Sequence, residues 1–225
     1  MKQAVGRRVA AMVETGMVLG IGTGSTAAYA VEEIGRRVRG GSLEVRGVAT
    51  SFAAERLARK YRIPLVTLAD VPELDIAFDG ADEVDPDLNL IKGRGAAHTR
   101  EKIVARAAGR FVVLVDASKR VEVLGTRMPL PVEVLPMAAA PVTKSLEELG
   151  ATVVLREGIN KDGPIVTDQG LWVLDARFDA IDDPEGLDRQ INDIPGVLDH
   201  GLFVRMATDV LVGLSPERID HLTPS

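Results

Sequence analysis

The stretch MVLGIGTGSTAAYAVEEIGRRV, residues 17–38, decides the fold. It opens with a short apolar run, turns through Gly20, Gly22 and Gly24, and continues with apolar residues at helical spacing to Val38. An apolar run closed by glycines reads as a buried strand, 17–21, and the spacing that follows reads as a helix over 26–38. Glycines let the backbone turn tightly, and the helix start behind them presents N–H groups that suit an anion. Thr23 and Gly24 sit in this turn, and Ser25 and Thr26 add hydroxyl donors. No Gly-Lys-Ser/Thr ends the segment, and the third glycine of a dinucleotide fingerprint is Ser25 here. A small phosphate ester therefore fits better than a dinucleotide. A purely structural strand-to-helix turn capped by Ser25 is the alternative.

Working outward, Val5, Val9, Met12 and Val13 recur at helical spacing. Downstream, the pattern predicts strands at 43–49, 65–68, 76–78 and 111–116, with helices at 52–62 and 100–108. Strand alternating with helix argues for an α/β fold with a mostly parallel sheet and helices on both faces. In such sheets ligands bind beyond the carboxyl ends of the strands. Four special loops, 22–25, 79–82, 92–95 and 116–119, follow strand ends and are expected to converge on one crevice.

The pattern changes after Arg127. Pro129, Pro131 and Pro136 bracket a strand at 132–135. A helix at 142–149 follows, then strands at 152–155 and 171–174 around a polar loop, 160–163, and a helix at 185–192. A strand at 202–205 would complete a split βαβ, ferredoxin-like α+β lobe. The expected division is a catalytic domain over 1–127 and 206–225, to which an apolar run at 210–214 returns, and a lobe over 128–205 that carries subunit contacts.

Composition excludes several classes. The 225 residues carry a formal net charge of -6, which argues against a nucleic-acid partner. No apolar run is long enough for a membrane span, and the first residues lack a signal-peptide core. Cysteine is absent, which removes disulfide and thiolate chemistry. A cytoplasmic location is expected.

The richest chemistry lies in DGADEVDPDLNLIKGRGAAHTREK, residues 79–102. Crowded carboxylates at Asp79, Asp82, Glu83, Asp85 and Asp87 are expected to raise the pKa of at least one of them, while Lys92 and Arg94 pull the other way. That sorts carboxylates into acids and bases, although a solvated charged loop has the same composition. The spacing does not match a calcium loop. His98, His200 and His221 are scattered, with no zinc pattern. No metal and no cofactor are expected, and acid–base work on hydroxyls is the better reading. Glu101 falls in the first turn of its helix, where the dipole favours an anion; Thr99 is the candidate N-cap. Lys2 and Lys119 are candidate phosphate contacts or solvated lysines. Arg94 and His98 are expected at the rim, and the methionines, Trp172 and the other aromatics in the core.

The ordered motifs GIGTGSTA, DGADE, KGRGAAHTREK, DASK, PLPVEVLPM and NDIPGV…GLF resemble the type A ribose-5-phosphate isomerase family over essentially the whole chain. The resemblance implies a Rossmann-like domain plus a small α+β lobe used in subunit contacts. It implies action without metal or organic cofactor in the non-oxidative pentose phosphate pathway, and the apolar character of the second lobe predicts a homodimer or homotetramer. Ribose 5-phosphate and ribulose 5-phosphate would interconvert through an enediolate. By resemblance, substrate contacts map to Thr23, Gly24, Ser25 and Thr26, to Asp79, Gly80, Ala81 and Asp82, to Lys92, Gly93, Arg94 and Gly95, and to Lys119. Glu101 maps to the catalytic base. The family commonly has glycine where Arg94 stands and an apolar residue where His98 stands. Two other readings stay open: a non-catalytic sugar-phosphate sensor, and an acyl-CoA transferase-like enzyme with a covalent glutamate. A ribose 5-phosphate assay separates all three.

Overall fold

The structure, a computed structural model, describes residues 1–160 and 162–224, so Lys161 of the polar loop at 160–163 lies outside the described residues. Along the chain run α1 (Lys2–Ala10), β1 (Val18–Ile21), α2 (Ser25–Arg39), β2 (Arg46–Ala49), α3 (Phe52–Lys60) and β3 (Ile76–Gly80). Next come β4 (Glu83–Val84), β5 (Leu90–Ile91), α4 (His98–Ala107), β6 (Phe111–Asp116), β7 (Leu130–Val134), α5 (Ala139–Glu148) and β8 (Thr152–Leu155). The chain ends with β9 (Trp172–Arg177), α6 (Pro184–Asn192), β10 (Val197–His200), β11 (Leu202–Phe203), β12 (Asp209–Gly213) and β13 (Ile219–Leu222). No helix is long and apolar enough to cross a membrane among the described residues.

Two compact units result. The first comprises 1–81, 100–119 and 206–225. Its six-stranded sheet has the order β13-β12-β6-β3-β1-β2. Only β13 is antiparallel, pairing with β12. Period-two alternation sends Leu19, Ile21, Ile76 and Phe78 into a core shared with Val5, Val9, Ala27, Val31 and Ala58 of α1, α2 and α3. On the other face Val104 of α4 lies over Gly20 and Ala77, and a Cβ added at Gly20 would sit 2.6 Å from its Cγ1. The order reverses between β1 and β3, which makes their carboxyl ends the switch point where α/β sheets bind ligands.

The second unit comprises 82–99 and 120–205. Its four-stranded sheet, β10-β7-β9-β8, is antiparallel throughout. With α5 and α6 it is the expected split βαβ lobe. Its core includes Leu130, Val132, Val142, Leu146, Leu174 and Ile191. A three-stranded sheet, β11-β5-β4, completes the unit.

Three expectations are corrected. The strand at 65–68 is an isolated bridge, Gly47 to Leu65. The chain leaves the sheet there because Asp70 accepts the Thr67 N–H and hydroxyl, closing a turn. The strand that completes the ferredoxin-like sheet is β10, not 202–205. Gly201 intervenes, its N–H donating to the Pro131 carbonyl and its own carbonyl accepting the Lys92 N–H, so that β11 departs to pair with β5. Finally, residues 82–99 and 120–127, expected with the catalytic domain, group with the second unit. The cause is pairing of β5 with β11 and a bridge from Val84 to Arg120.

Candidate active site

In the first unit the chemistry gathers at the carboxyl ends of β1, β2, β3 and β6. Gly22 lets the turn after β1 approach β3: an added Cβ would lie 2.2 Å from the Phe78 oxygen. That closeness carries Thr23 onto Asp79, whose Oδ1 accepts the Thr23 N–H at 3.0 Å and the Gly80 N–H at 2.8 Å. Asp79 is 2% exposed. The Thr23 hydroxyl in turn meets Thr50 at 3.0 Å and Ser51 at 2.7 Å. These two residues follow β2, and Ser51 also caps α3 by accepting the Ala54 N–H. Sequence reading misses Thr50 and Ser51. The rule that ligand groups follow strand ends, applied to β2, is the signal that finds them.

Gly24, with φ 104°, caps the start of α2. Ser25 there receives a hydrogen bond from Lys2 Nζ at 2.8 Å. Ser118 hydrogen bonds hold the Asp116 carboxyl below the usual carboxylate range, and the charges of Lys119 and Lys2 act the same way. Lys2, Ser25, Asp116 and Lys119 are therefore neighbours. Two ammonium groups, hydroxyls and the N–H groups opening α2 form a donor-rich pole suited to a phosphate. Asp116, at the end of β6, opens the special loop 116–119, in which the sequence singles out Lys119 alone as a contact.

Glu101 is 7% exposed in the first turn of α4. The last turn of this helix meets Leu74 just before β3, where Ala107 accepts the Leu74 N–H at 2.8 Å. The helix therefore runs back from the strand ends, and its first turn lies toward the carboxyl end of β3. Arg100 beside it stacks 5.1 Å from the Phe52 ring centroid. This use explains why Phe52 is 54% exposed rather than core; Met137, 90% exposed, also leaves the expected core.

In the second unit Lys92 is 3% exposed. Its N–H bonds Gly201 and its ammonium sits 5.4 Å from the Phe203 ring centroid. Gly93 takes φ 105°, and an added Cβ would meet the His98 ring at 2.8 Å. His98 is thus fully buried against Gly93, which corrects its expected place at the rim. Arg94 is exposed and lies outside the left-handed region, so a side chain costs no backbone strain there. Its N–H donates to Asp82 Oδ2 at 3.0 Å. Gly95 follows, with open space where its Cβ would be. Thr99 is not the N-cap of α4, since the helix begins at His98; its hydroxyl goes to buried Glu133 instead.

The acidic stretch sorts itself. Glu83 is fully buried and accepts N–H groups from Gly125, Arg127 and Met128 at 2.7 Å each. Asp85 fixes Asn89 through backbone and side chain. Burial first, with the charge of Asp87 adding, raises the Asp85 carboxyl, so crowding alone is not the cause. Glu83 and Asp85 are thus committed to structure, whereas Asp79 accepts the Thr23 and Gly80 N–H groups and Asp82 the Arg94 N–H.

Comparison with known proteins finds relatives along nearly the whole chain. A family model described as ribose 5-phosphate isomerase A (phosphoriboisomerase A) matches residues 46–216. The chain is 59% identical over 214 residues to ribose-5-phosphate isomerase A of Thermosynechococcus vestitus, covering 95% of this chain and 91% of that one. It is 50% identical over 223 residues to that of Thermococcus kodakarensis, covering 99% and 97%. The solved structure of the Methanocaldococcus jannaschii ribose 5-phosphate isomerase A superposes with a TM-score of 0.94 at 47% identity, over 99% of this chain and 97% of that one. A D-ribose-5-phosphate isomerase in complex with phospho-erythronic acid superposes at 0.96 with 44% identity and the same coverage. This chain belongs to the ribose 5-phosphate isomerase A family.

Proposed function

We propose that the protein interconverts ribose 5-phosphate and ribulose 5-phosphate through an enediolate, in the non-oxidative pentose phosphate pathway, with Glu101 as the base. The observation that carries this reading is the grouping of Lys2, Ser25 and Lys119 at one sheet end, with buried Asp79 hydrogen-bonded to the adjoining turn. The phosphate anchors on Ser25, Thr26, Lys2 and Lys119, and a held substrate converts a chance encounter into a positioned one. Thr23, Gly24, Gly80, Ala81 and Gly93 contribute backbone to the same substrate. Asp79 and Asp82 move protons among ring oxygen, hydroxyls and water, so that the sugar opens to its aldehyde. Glu101 removes the proton from C2 and returns it to C1; its place in the first turn of α4 favours the anion, and its burial keeps water away from the base. Lys92 and the Gly95 amide balance the negative oxygen that develops, while the Arg94 amide holds Asp82 beside it.

The test is Glu101→Gln. A positioned base contributes about 10²–10⁴-fold, so kcat is expected to fall by at least that lower figure while phospho-erythronic acid still binds. That ligand carries a planar two-oxygen anion resembling an enediolate. Near-normal turnover in this variant removes Glu101 from the role. Activity in excess EDTA is expected to match the untreated enzyme; a loss that returns only with added metal would give the acidic loop a metal-binding task instead.

The second unit is proposed to carry contacts between copies of the chain, as a homodimer or homotetramer. Supporting this, Leu135, Met137 and Leu198 are each about half exposed or more, at the end of β7 and on the edge strand β10.

A further inference from the structure

Arg156 follows β8 in the second unit, and its side chain is only 15% exposed. Its Nε and Nη2 grip the two oxygens of Asp175 on β9, with Nε to Oδ2 at 2.8 Å. Its remaining nitrogen, Nη1, donates to the Gly93 carbonyl at 2.9 Å and to the Arg94 carbonyl at 3.1 Å. A planar guanidinium held bidentately by a carboxylate has little freedom, so the two carbonyls are fixed in direction as well as in position.

That direction has a consequence for the amides. A trans peptide points its C=O and N–H opposite ways, and no cis peptide occurs among the described residues. The peptide whose oxygen goes from Gly93 to Arg156 carries the Arg94 N–H, which donates to Asp82 Oδ2 at 3.0 Å. The next peptide has its oxygen on the same guanidinium nitrogen, which turns the Gly95 N–H away from Arg156 too. One cation thus orients two successive donors.

We propose that Arg156, backed by Asp175, is a positioning residue for the isomerisation: it fixes the 93–95 turn so that one amide holds Asp82 and the next is presented to the reacting sugar. The proposal rests on the reading above that Asp82 and this turn contact substrate. An ion pair meant only to tie β8 to β9 would need no third nitrogen on the turn. Lysine at 156 can pair with Asp175, but it lacks the fork that reaches both carbonyls as well.

The test measures kcat and KM for ribose 5-phosphate in the wild type, Arg156→Lys and Arg156→Ala, with thermal melting of each. A displaced reacting group costs up to about 10²-fold, so kcat is expected to fall by about 10- to 100-fold in both variants. KM should change little, because the phosphate pole in the first unit is untouched. Added guanidinium ion at millimolar concentration should restore part of the lost rate in Arg156→Ala. Wild-type kcat in the folded variants would overturn the proposal. So would a rise in KM with kcat unchanged, or a slow Arg156→Ala that guanidinium leaves slow. If Arg156→Ala does not fold, Arg156→Lys is judged by the same kcat criterion. A wild type inactive on ribose 5-phosphate would instead overturn the functional reading itself.

Discussion

A methyl group on Gly22 would sit 2.2 Å from the Phe78 carbonyl oxygen and 2.5 Å from Cγ of Asp79. Both neighbours belong to β3, whose backbone is locked in the sheet, so the turn must give way. Overpacking of this kind costs about 1–3 kcal/mol. Gly22→Ala is expected to lower the urea midpoint accordingly and to cut kcat/KM, since the displaced Thr23 amide then leaves Asp79. A variant that keeps wild-type kcat/KM would separate the turn from the chemistry. At this scale the sequence is legible where the backbone is special and less so where a side chain chooses a partner. Gly22 and Gly24 stand out as glycines behind a strand. Nothing in the string DGADE separates Asp79 from Glu83, because the difference is where the oxygens end up: Glu83 collects three N–H groups from a loop more than forty positions away. Arg156 is silent for the same reason, since its partners lie at 93, 94 and 175.

Elements are more legible than partners, because periodicity is local. The helices and the strands β1, β3, β6 and β8 follow from apolar spacing alone. Two-residue strands such as β4 and β5 are too short to show a period, and β13 is an edge strand with intermediate burial. A polar lock adds to the antiparallel ladder between β13 and β12. Asp209 on β12 accepts both arms of Arg110 at 2.7 and 2.6 Å and meets the His221 ring on β13 at 2.6 Å. Arg110 above all, with Thr208 and His221 adding, holds the Asp209 carboxyl far below the usual carboxylate range. The sign follows from that depression. An unfolded carboxyl titrates near about 3.9, so the lock contributes fully above that pH and is lost as pH falls toward the lower folded value. Asp209→Asn is expected to cost about 2 kcal/mol at neutral pH. The difference from wild type in urea midpoint should shrink below about pH 4; a difference that stays constant there would show that the ionised carboxylate is not what matters.

For the whole molecule, charge is unevenly shared. The first unit holds 17 Lys and Arg against 14 Asp and Glu, and the second 10 against 19, for net charges of +3 and -9. A phosphate dianion is therefore favoured by the first unit, where Lys2 and Lys119 lie. The exposed apolar residues of the second unit suit association. Met137→Asp combined with Leu198→Asp is expected to shift sedimentation toward smaller species with little change in the melting of the remaining fold; an unchanged sedimentation profile would move the contact elsewhere. The backbone passes between the two units at 81/82, 99/100, 119/120 and 205/206, and one of these crossings falls within the first turn of α4, between Thr99 and Arg100. Neither half can therefore be cut out as a single uninterrupted fragment, and exchanging one half with a homologue by a single recombination event would splice mismatched pieces. The modular shuffling open to proteins with domains strung end to end is closed to this one, whose two halves must be inherited together.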